Sequence, residues 1–364
     1  MKVALVHDDL IQEGGAEKLV LAMHEIWPKA PLYTSFASNE WVKKCREQGI
    51  TLQTSFMRWL PFKKHLYKFY FLFYPLAFES FNFNQFDLVV SSSARFAHGI
   101  ITKPITKHLC YMNSPARMWW DPVAYFGPRL PLRLFLAPFL SFLRLWDYTA
   151  AQRVDYFVAN SKAPQSRIKK YYGRESEIVY PFSDLTIKKS SGGSKNTNYF
   201  LIVTRLSPWK RVDIAVAACQ EMGRDLVVVG WGPDSPRLKR LAAGSKHIRF
   251  LGKVNDEELV ALYSGCQAVI ITQEEDFGIV AVEAASFHKP VLAYKAGGSL
   301  ELIKEGSTGE FFYPQTATAL KRLLANFQAD NYCGGEDYDR VVAKFSKEVF
   351  KTSLESITNN IYDV

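Results

Sequence analysis

Short apolar runs rich in β-branched residues punctuate the chain, each closed by polar or glycine-containing residues. Val3 to His7, Asp87 to Ser93, His108 to Met112 and Val154 to Ala159 form a first set. Tyr199 to Thr204, Leu226 to Gly230, Ile248 to Leu251, Val269 to Thr272 and Val291 to Tyr294 form a second. The runs lack the apolar–polar alternation of a strand wetted on one face, so they predict parallel strands covered on both faces by helices. Ala16-Glu17-Lys18-Leu19-Val20-Leu21-Ala22-Met23, after Gly14-Gly15, has the spacing of such a helix. The pattern predicts an α/β fold of repeated β/α/β units.

One junction carries more chemistry than the others. Ala268-Val269-Ile270-Ile271-Thr272 runs into Gln273-Glu274-Glu275-Asp276-Phe277, and a helix is expected from Gly278 onward, with Glu283 inside it. The acidic loop then sits at a strand's carboxyl end, where open α/β sheets collect ligands and the next helix offers backbone N–H groups. Acids at a helix start also complement its dipole, so alone they are ambiguous. A second loop, Thr204-Arg205-Leu206-Ser207-Pro208-Trp209-Lys210-Arg211, follows the strand beginning at Tyr199 and is expected to reach the same crevice. A guanidinium grips two phosphate oxygens and an ammonium adds a mobile point charge, which suits a departing diphosphate.

Length and composition set the frame. With 364 residues, 48% of them apolar, the chain can bury two ordinary cores. The polar, small stretch from Lys188 to Asn198 marks a linker. The expected division is 1–183, a linker 184–198, a second domain 199–340 and a closing helical segment 341–364. The chain opens directly on a strand, without a charged and apolar leader pattern, so the expectation is a cytoplasmic protein. Five scattered cysteines (Cys45, Cys110, Cys219, Cys266, Cys333) without CxxC spacing predict neither a disulfide framework nor a zinc site.

The two loops together, Arg-Leu-x-x-x-Lys from Arg205 to Lys210 and Glu-x7-Glu from Glu275 to Glu283, resemble retaining GT-B glycosyltransferases of family 4, the glycosyl transferases group 1. The resemblance implies two Rossmann-like domains facing a cleft, with the C-terminal helix packing back on the N-terminal domain. It implies that Arg205 and Lys210 hold the leaving diphosphate and that Glu275 positions the sugar hydroxyls. Glu283 would accept from the ribose, and the N–H groups of Phe277, Gly278 and Ile279 would face the ligand. Gly14-Gly15 match the family's Gly-Gly loop facing the diphosphate, although from residues alone a plain tight turn fits as well. The pattern is not the GxGxxG of a dinucleotide fold. Tyr111-x-x-Ser114-Pro115-x-Arg117-x-x-Trp120-Asp121 resembles the bacterial polysaccharide branch, where a His commonly stands at the position of Asn113; His98 is the nearby candidate to replace it.

Two segments mix cations with aromatics: Arg58 to Tyr74, including Lys63, Lys64 and Lys68, and Arg129 to Trp146. With the formal charge of +9 they suit helices lying in an anionic membrane interface; buried helices with snorkelling cations fit equally. No nucleic-acid motif accompanies them.

The expected function is therefore transfer of a hexose, mannose from GDP-mannose, to a lipid-linked oligosaccharide or polysaccharide at the cytoplasmic membrane face, as in O-antigen and lipopolysaccharide assembly. Neither metal nor prosthetic group is expected, and the protein is expected to associate peripherally with the membrane. The alternatives are a UDP-sugar-dependent glucosyl- or galactosyltransferase, a GT-B sugar-nucleotide epimerase and a non-enzymatic membrane-binding scaffold.

Overall fold

The computed structural model describes residues 1–12, 14–61, 70–126, 130–185, 198–332 and 334–362, without the side chains of 124, 126, 130–133 and 362. The chain forms two compact units, Met1–Tyr180 with Glu348–Val364, and Pro181–Lys347. Each is a Rossmann-like layer of parallel strands between helices, and the fold is GT-B.

The first unit carries a seven-stranded sheet in the order β3-β2-β1-β4-β5-β6-β7. Its strands are β1 (Val3–His7), β2 (Leu32–Thr34), β3 (Leu52–Thr54), β4 (Leu88–Ser93), β5 (Lys107–Met112), β6 (Tyr156–Ala159) and β7 (Glu177–Ile178). β1 is buried along its whole length, as its unbroken apolar run requires. Ala4, Val6 and Val89 pack against Phe78, Phe96, Trp119, Leu140 and Leu143. The chain builds outward from β1 through β2 to β3, then crosses to β4 on the other side of β1, so the sheet reverses direction between β1 and β4. The last helix, Lys347–Tyr362, joins this unit from Glu348 on. Its Phe350 ring lies 5.7 Å from Tyr111, and Lys351 pairs with Glu25 at 3.5 Å.

The second unit is a six-stranded sheet in the order β10-β9-β8-β11-β12-β13. It consists of β8 (Tyr199–Val203), β9 (Asp225–Val229), β10 (Ile248–Gly252), β11 (Ala268–Ile271), β12 (Val291–Tyr294) and β13 (Gly309–Phe312). Ile202, Val228, Ile270 and Leu292 pack with Val216 and Cys219 of the helix Val212–Met222 and with Leu320 and Leu324 of the helix Ala317–Asn326. The reversal falls between β8 and β11, the two strands that deliver the basic and the acidic loop.

The structure differs from the sequence reading in small strands and in two boundaries, the first unit ending at Tyr180 instead of residue 183. β2, β3, β7 and β13 were not foreseen; three are two or three residues long, and β13 starts on a glycine at the sheet edge. Residues 341–347, expected with the closing segment, lie in the second unit. The helix Gly335–Lys344 is held there by Tyr338 stacking on His288 at 5.4 Å and by Lys304 pairing with Asp337 at 2.8 Å. Most of the expected linker, 186–197, lies outside the described residues, as do Lys63, Lys64, Lys68 and Cys333.

One carboxylate ties the first unit's reversal together. Asp8, just past β1, accepts four backbone N–H groups after β4: Ala94 at 2.7 Å, Arg95 at 3.0 Å, Phe96 at 2.8 Å and Ala97 at 2.7 Å. Asp8 is buried, so removing it strands donors that water cannot easily reach. Asp8→Ala is expected to lower stability by about 3 kcal/mol or more, and Asp8→Asn by less, in urea denaturation. Equal, small effects from both substitutions would contradict this account.

Candidate active site

The site is built at the reversal of the second sheet. After β8 the chain passes Thr204 to Ser207 and makes a 3-10 turn, Pro208–Lys210. Arg211 then takes a left-handed conformation, φ 51°, before the helix Val212–Met222 begins. Lys210 therefore precedes the helix. The turn brings Lys210 back toward β11, where Nζ lies 2.8 Å from Glu275 Oε1 and 2.9 Å from Oε2. The ammonium also sits 4.2 Å over the Trp209 ring. Both charged side chains are largely withdrawn from water, at 11% and 16% exposure.

Neighbouring polar groups fix this pair. Thr272 Oγ1 donates to the Lys210 carbonyl at 2.8 Å, and Gln315 Nε2 donates to the Thr272 carbonyl at 2.8 Å. Gln273, also buried, donates from Nε2 to Glu275 Oε1. Arg205 lies in the same loop and is exposed. The loop is tied to the turn after β9: Leu206 N–H donates to Trp231 O at 3.0 Å, and Asp234 N–H donates to Leu206 O at 2.9 Å.

The acidic loop rests on bare backbone. Gly298 N–H donates to Glu275 O at 2.8 Å. A Cβ on Gly297 would lie 2.2 Å from Glu275 O, and one on Gly298 would lie 2.2 Å from Phe277 O, so neither position admits a side chain. Gly278, at φ 100°, caps the helix Ile279–Ser286, whose buried side is Ala281, Val282, Ala284 and Ala285. Phe277 is buried against Phe345, ring to ring at 5.3 Å. Glu283 is half-buried and receives the Tyr263 hydroxyl on Oε2 at 2.6 Å. The structure thus brings Lys210 and Glu275 into direct contact and places Arg205, Phe277, Gly278, Ile279 and Glu283 on the same two loops and the helix that continues one of them. Among the described residues no three His, Cys, Asp or Glu side chains gather as metal ligands.

A sequence profile described as Glycosyl transferases group 1 matches residues 183–347. The matched stretch, a little under half of the chain, is similar to glycosyl transferases group 1. The O-antigen chain mannosyltransferase C of Escherichia coli is 24% identical over 230 residues, 56% of this chain and 62% of that protein. The D-rhamnosyltransferase WbpZ of Pseudomonas aeruginosa is 28% identical over 205 residues, 54% of each chain. Such alignments span about half the length of the curated relatives the chain matches. The crystal structure of Anabaena Alr3699/HepE in complex with UDP matches with a TM-score of 0.72 at 18% identity, covering 99% of this chain and 100% of that one.

The matched stretch contains seven of the nine residues singled out from sequence, all but Gly14 and Gly15. Those two lie in the first unit, where Gly14 caps the helix Gly15–Ile26 without a side-chain bond and its carbonyl receives Lys18 N–H at 3.1 Å. Nearby, Glu17 is buried, and burial pushes its carboxyl above the usual range. Asn113 donates from Nδ2 to Ser92 Oγ at 3.2 Å. His98 does not replace the family histidine: only 1% of it is exposed. Its Nδ1 lies 3.1 Å from Ser93 Oγ, its Nε2 lies 3.2 Å from Asp147, and its ring packs beside Trp146 and Tyr172. It is a core residue because the apolar helix Leu130–Ala151 closes over it.

Sequence reasoning missed Tyr263, Gln273 and Thr272. Gln273 and Thr272 had a signal, as polar residues directly ending an apolar strand; Tyr263 had none, since a tyrosine on a helix's inner face reads as core. The buried contact of Lys210 and Glu275 predicts strong coupling. In a double-mutant cycle with Lys210→Met and Glu275→Gln, the coupling in thermal or urea denaturation is expected to be on the order of 1–3 kcal/mol. A cycle that adds to within experimental error would mean the two groups do not stabilise each other.

Proposed function

We propose that the protein is a retaining glycosyltransferase that moves mannose from GDP-mannose to a lipid-linked oligosaccharide or polysaccharide at the cytoplasmic face of a membrane. The observation that carries the reading is the Lys210–Glu275 contact at the sheet reversal, with Arg205 on the same loop. Breaking the anomeric bond builds negative charge on the diphosphate and positive charge on the sugar, so a fixed cation beside a fixed carboxylate serves both ends of the breaking bond. In this reading Arg205 and Lys210 receive the diphosphate and Glu275 receives sugar hydroxyls. Glu283 receives the ribose, and the backbone of Phe277, Gly278 and Ile279 lies against the ligand. Gly14 and Gly15 are assigned to the diphosphate by their likeness to the family's Gly-Gly loop. The cations supply the charge stabilisation for which other transferases use a metal.

Retention and the choice of mannose rest on family likeness, including the Escherichia coli mannosyltransferase. A UDP-sugar donor is the second reading, favoured by the UDP bound in the Anabaena structure. If the assignment is right, Arg205→Ala and Lys210→Ala each lower turnover by about 10²-fold or more with the fold retained. Glu275→Gln then costs more rate than Glu283→Gln. GDP-mannose, and not UDP-glucose, raises the melting temperature by mass action and is the donor in radiolabelled transfer. Transfer from UDP-glucose or UDP-galactose alone would replace the donor and keep the reaction.

The membrane part of the proposal rests on the helix Leu130–Ala151. One side, with Leu140, Leu143, Ala150 and Ala151, is buried. The other leaves Leu134, Phe135, Phe142 and Leu145 exposed by 53% to 72%, where a water-facing helix carries polar groups. Trp59, 75% exposed with Arg58 4.4 Å over its ring, has the same character. Among the described residues no helix is long and apolar enough to cross a membrane, so the contact proposed is peripheral. The protein is expected to co-sediment with anionic vesicles at low salt. Phe135→Ser, Phe142→Ser and Leu145→Ser combined are expected to weaken sedimentation and transfer to a lipid-linked acceptor while leaving donor binding unchanged. Sedimentation of the triple variant at the wild-type level would remove this helix from the proposal.

A further inference from the structure

The Tyr263–Glu283 bond joins two helices that flank β11 in sequence. Tyr263 lies on the helix Asp256–Gly265, which precedes β11, and Glu283 lies on Ile279–Ser286, which follows it. Tyr263 is fully buried, and its ring stacks on Phe287 at 5.3 Å with an interplanar angle of 8°. The hydroxyl is thus held on a rigid arm and donates to Glu283 Oε2 at 2.6 Å. A phenol is a donor at neutral pH in any case, and burial first and the Glu283 charge second push this one well above its ordinary pKa. A glutamate on a helix surface ordinarily samples several rotamers, and ordering it against a ligand costs binding affinity. A carboxylate whose plane is already set presents its acceptor lone pairs in one direction.

We infer that Tyr263 is a positioning residue that orients Glu283 to accept from the vicinal ribose hydroxyls of the nucleotide donor. The inference rests on the proposed reading of Glu283 as the ribose contact. It assigns discrimination between ribose and deoxyribose to a hydroxyl that never touches the ligand. The phenol acts through the carboxylate, so its loss weakens only the part of binding that depends on the ribose hydroxyls.

Calorimetric titration with two probe pairs tests this: GDP against 2′,3′-dideoxy-GDP, and UDP against 2′,3′-dideoxy-UDP. The pair containing the preferred base is read as the ratio of dideoxy to ribo dissociation constants. Wild type is expected to favour the ribo form by about tenfold or more, the scale of hydrogen bonds to a charged group. Tyr263→Phe is expected to reduce that ratio at least about threefold while leaving the dideoxy dissociation constant unchanged. Phe287→Leu, which removes the stacking partner and keeps the hydroxyl, is expected to preserve the ratio; an equal fall there would reduce Tyr263 to packing and overturn the inference. A ratio kept in Tyr263→Phe but lost in Glu283→Gln would also overturn it, with Glu283 still the ribose contact. A ratio kept in both variants would remove the ribose assignment itself, and the inference with it.

Discussion

The second unit's site depends on a single ion pair, Lys210 with Glu275, held where the parallel sheet reverses. Two charges so little exposed are unfavourable unless each is well partnered. The structure meets that requirement with a bidentate ammonium contact, the Gln273 amide and the Trp209 ring. The surrounding backbone follows from the pair's position. Thr272 ties the Lys210 carbonyl to the end of β11, and Gly297 and Gly298 let the next strand's loop lie directly under Glu275 and Phe277. Any anion that draws on the ammonium competes with Glu275 for it, so ligand binding at this pair and local stability are linked quantities.

Much of this was legible in the chain because it lies in patterns that physics makes local. Unbroken β-branched runs announced the central strands, since a strand covered on both faces has no polar alternation to hide it. The two charged loops were visible because each follows such a run directly. The short strands were not, because Leu32–Thr34 and Leu52–Thr54 hold their places through pairing with β1 and β2 rather than through any signal of their own. His98 misled for a related reason: a histidine in a loop reads as exposed, and only the helix closing over it, with Asp147 and Tyr172 alongside, turns it into core. Tyr263 and Glu283 stand apart in sequence, and nothing local couples a buried phenol to a carboxylate on another helix.

The helix Leu130–Ala151 carries one more consequence. Its inner face is fastened by directional bonds as well as by apolar packing: Asp147 receives Trp120 Nε1 at 2.6 Å and the Tyr172 hydroxyl at 2.7 Å. Apolar packing alone tolerates a roll about the helix axis, whereas two short bonds to one buried carboxylate do not. The protein therefore has no inexpensive way to tuck its outer leucines and phenylalanines out of water. That face is a standing asymmetry of the first unit, and it gives the unit a built-in top and bottom.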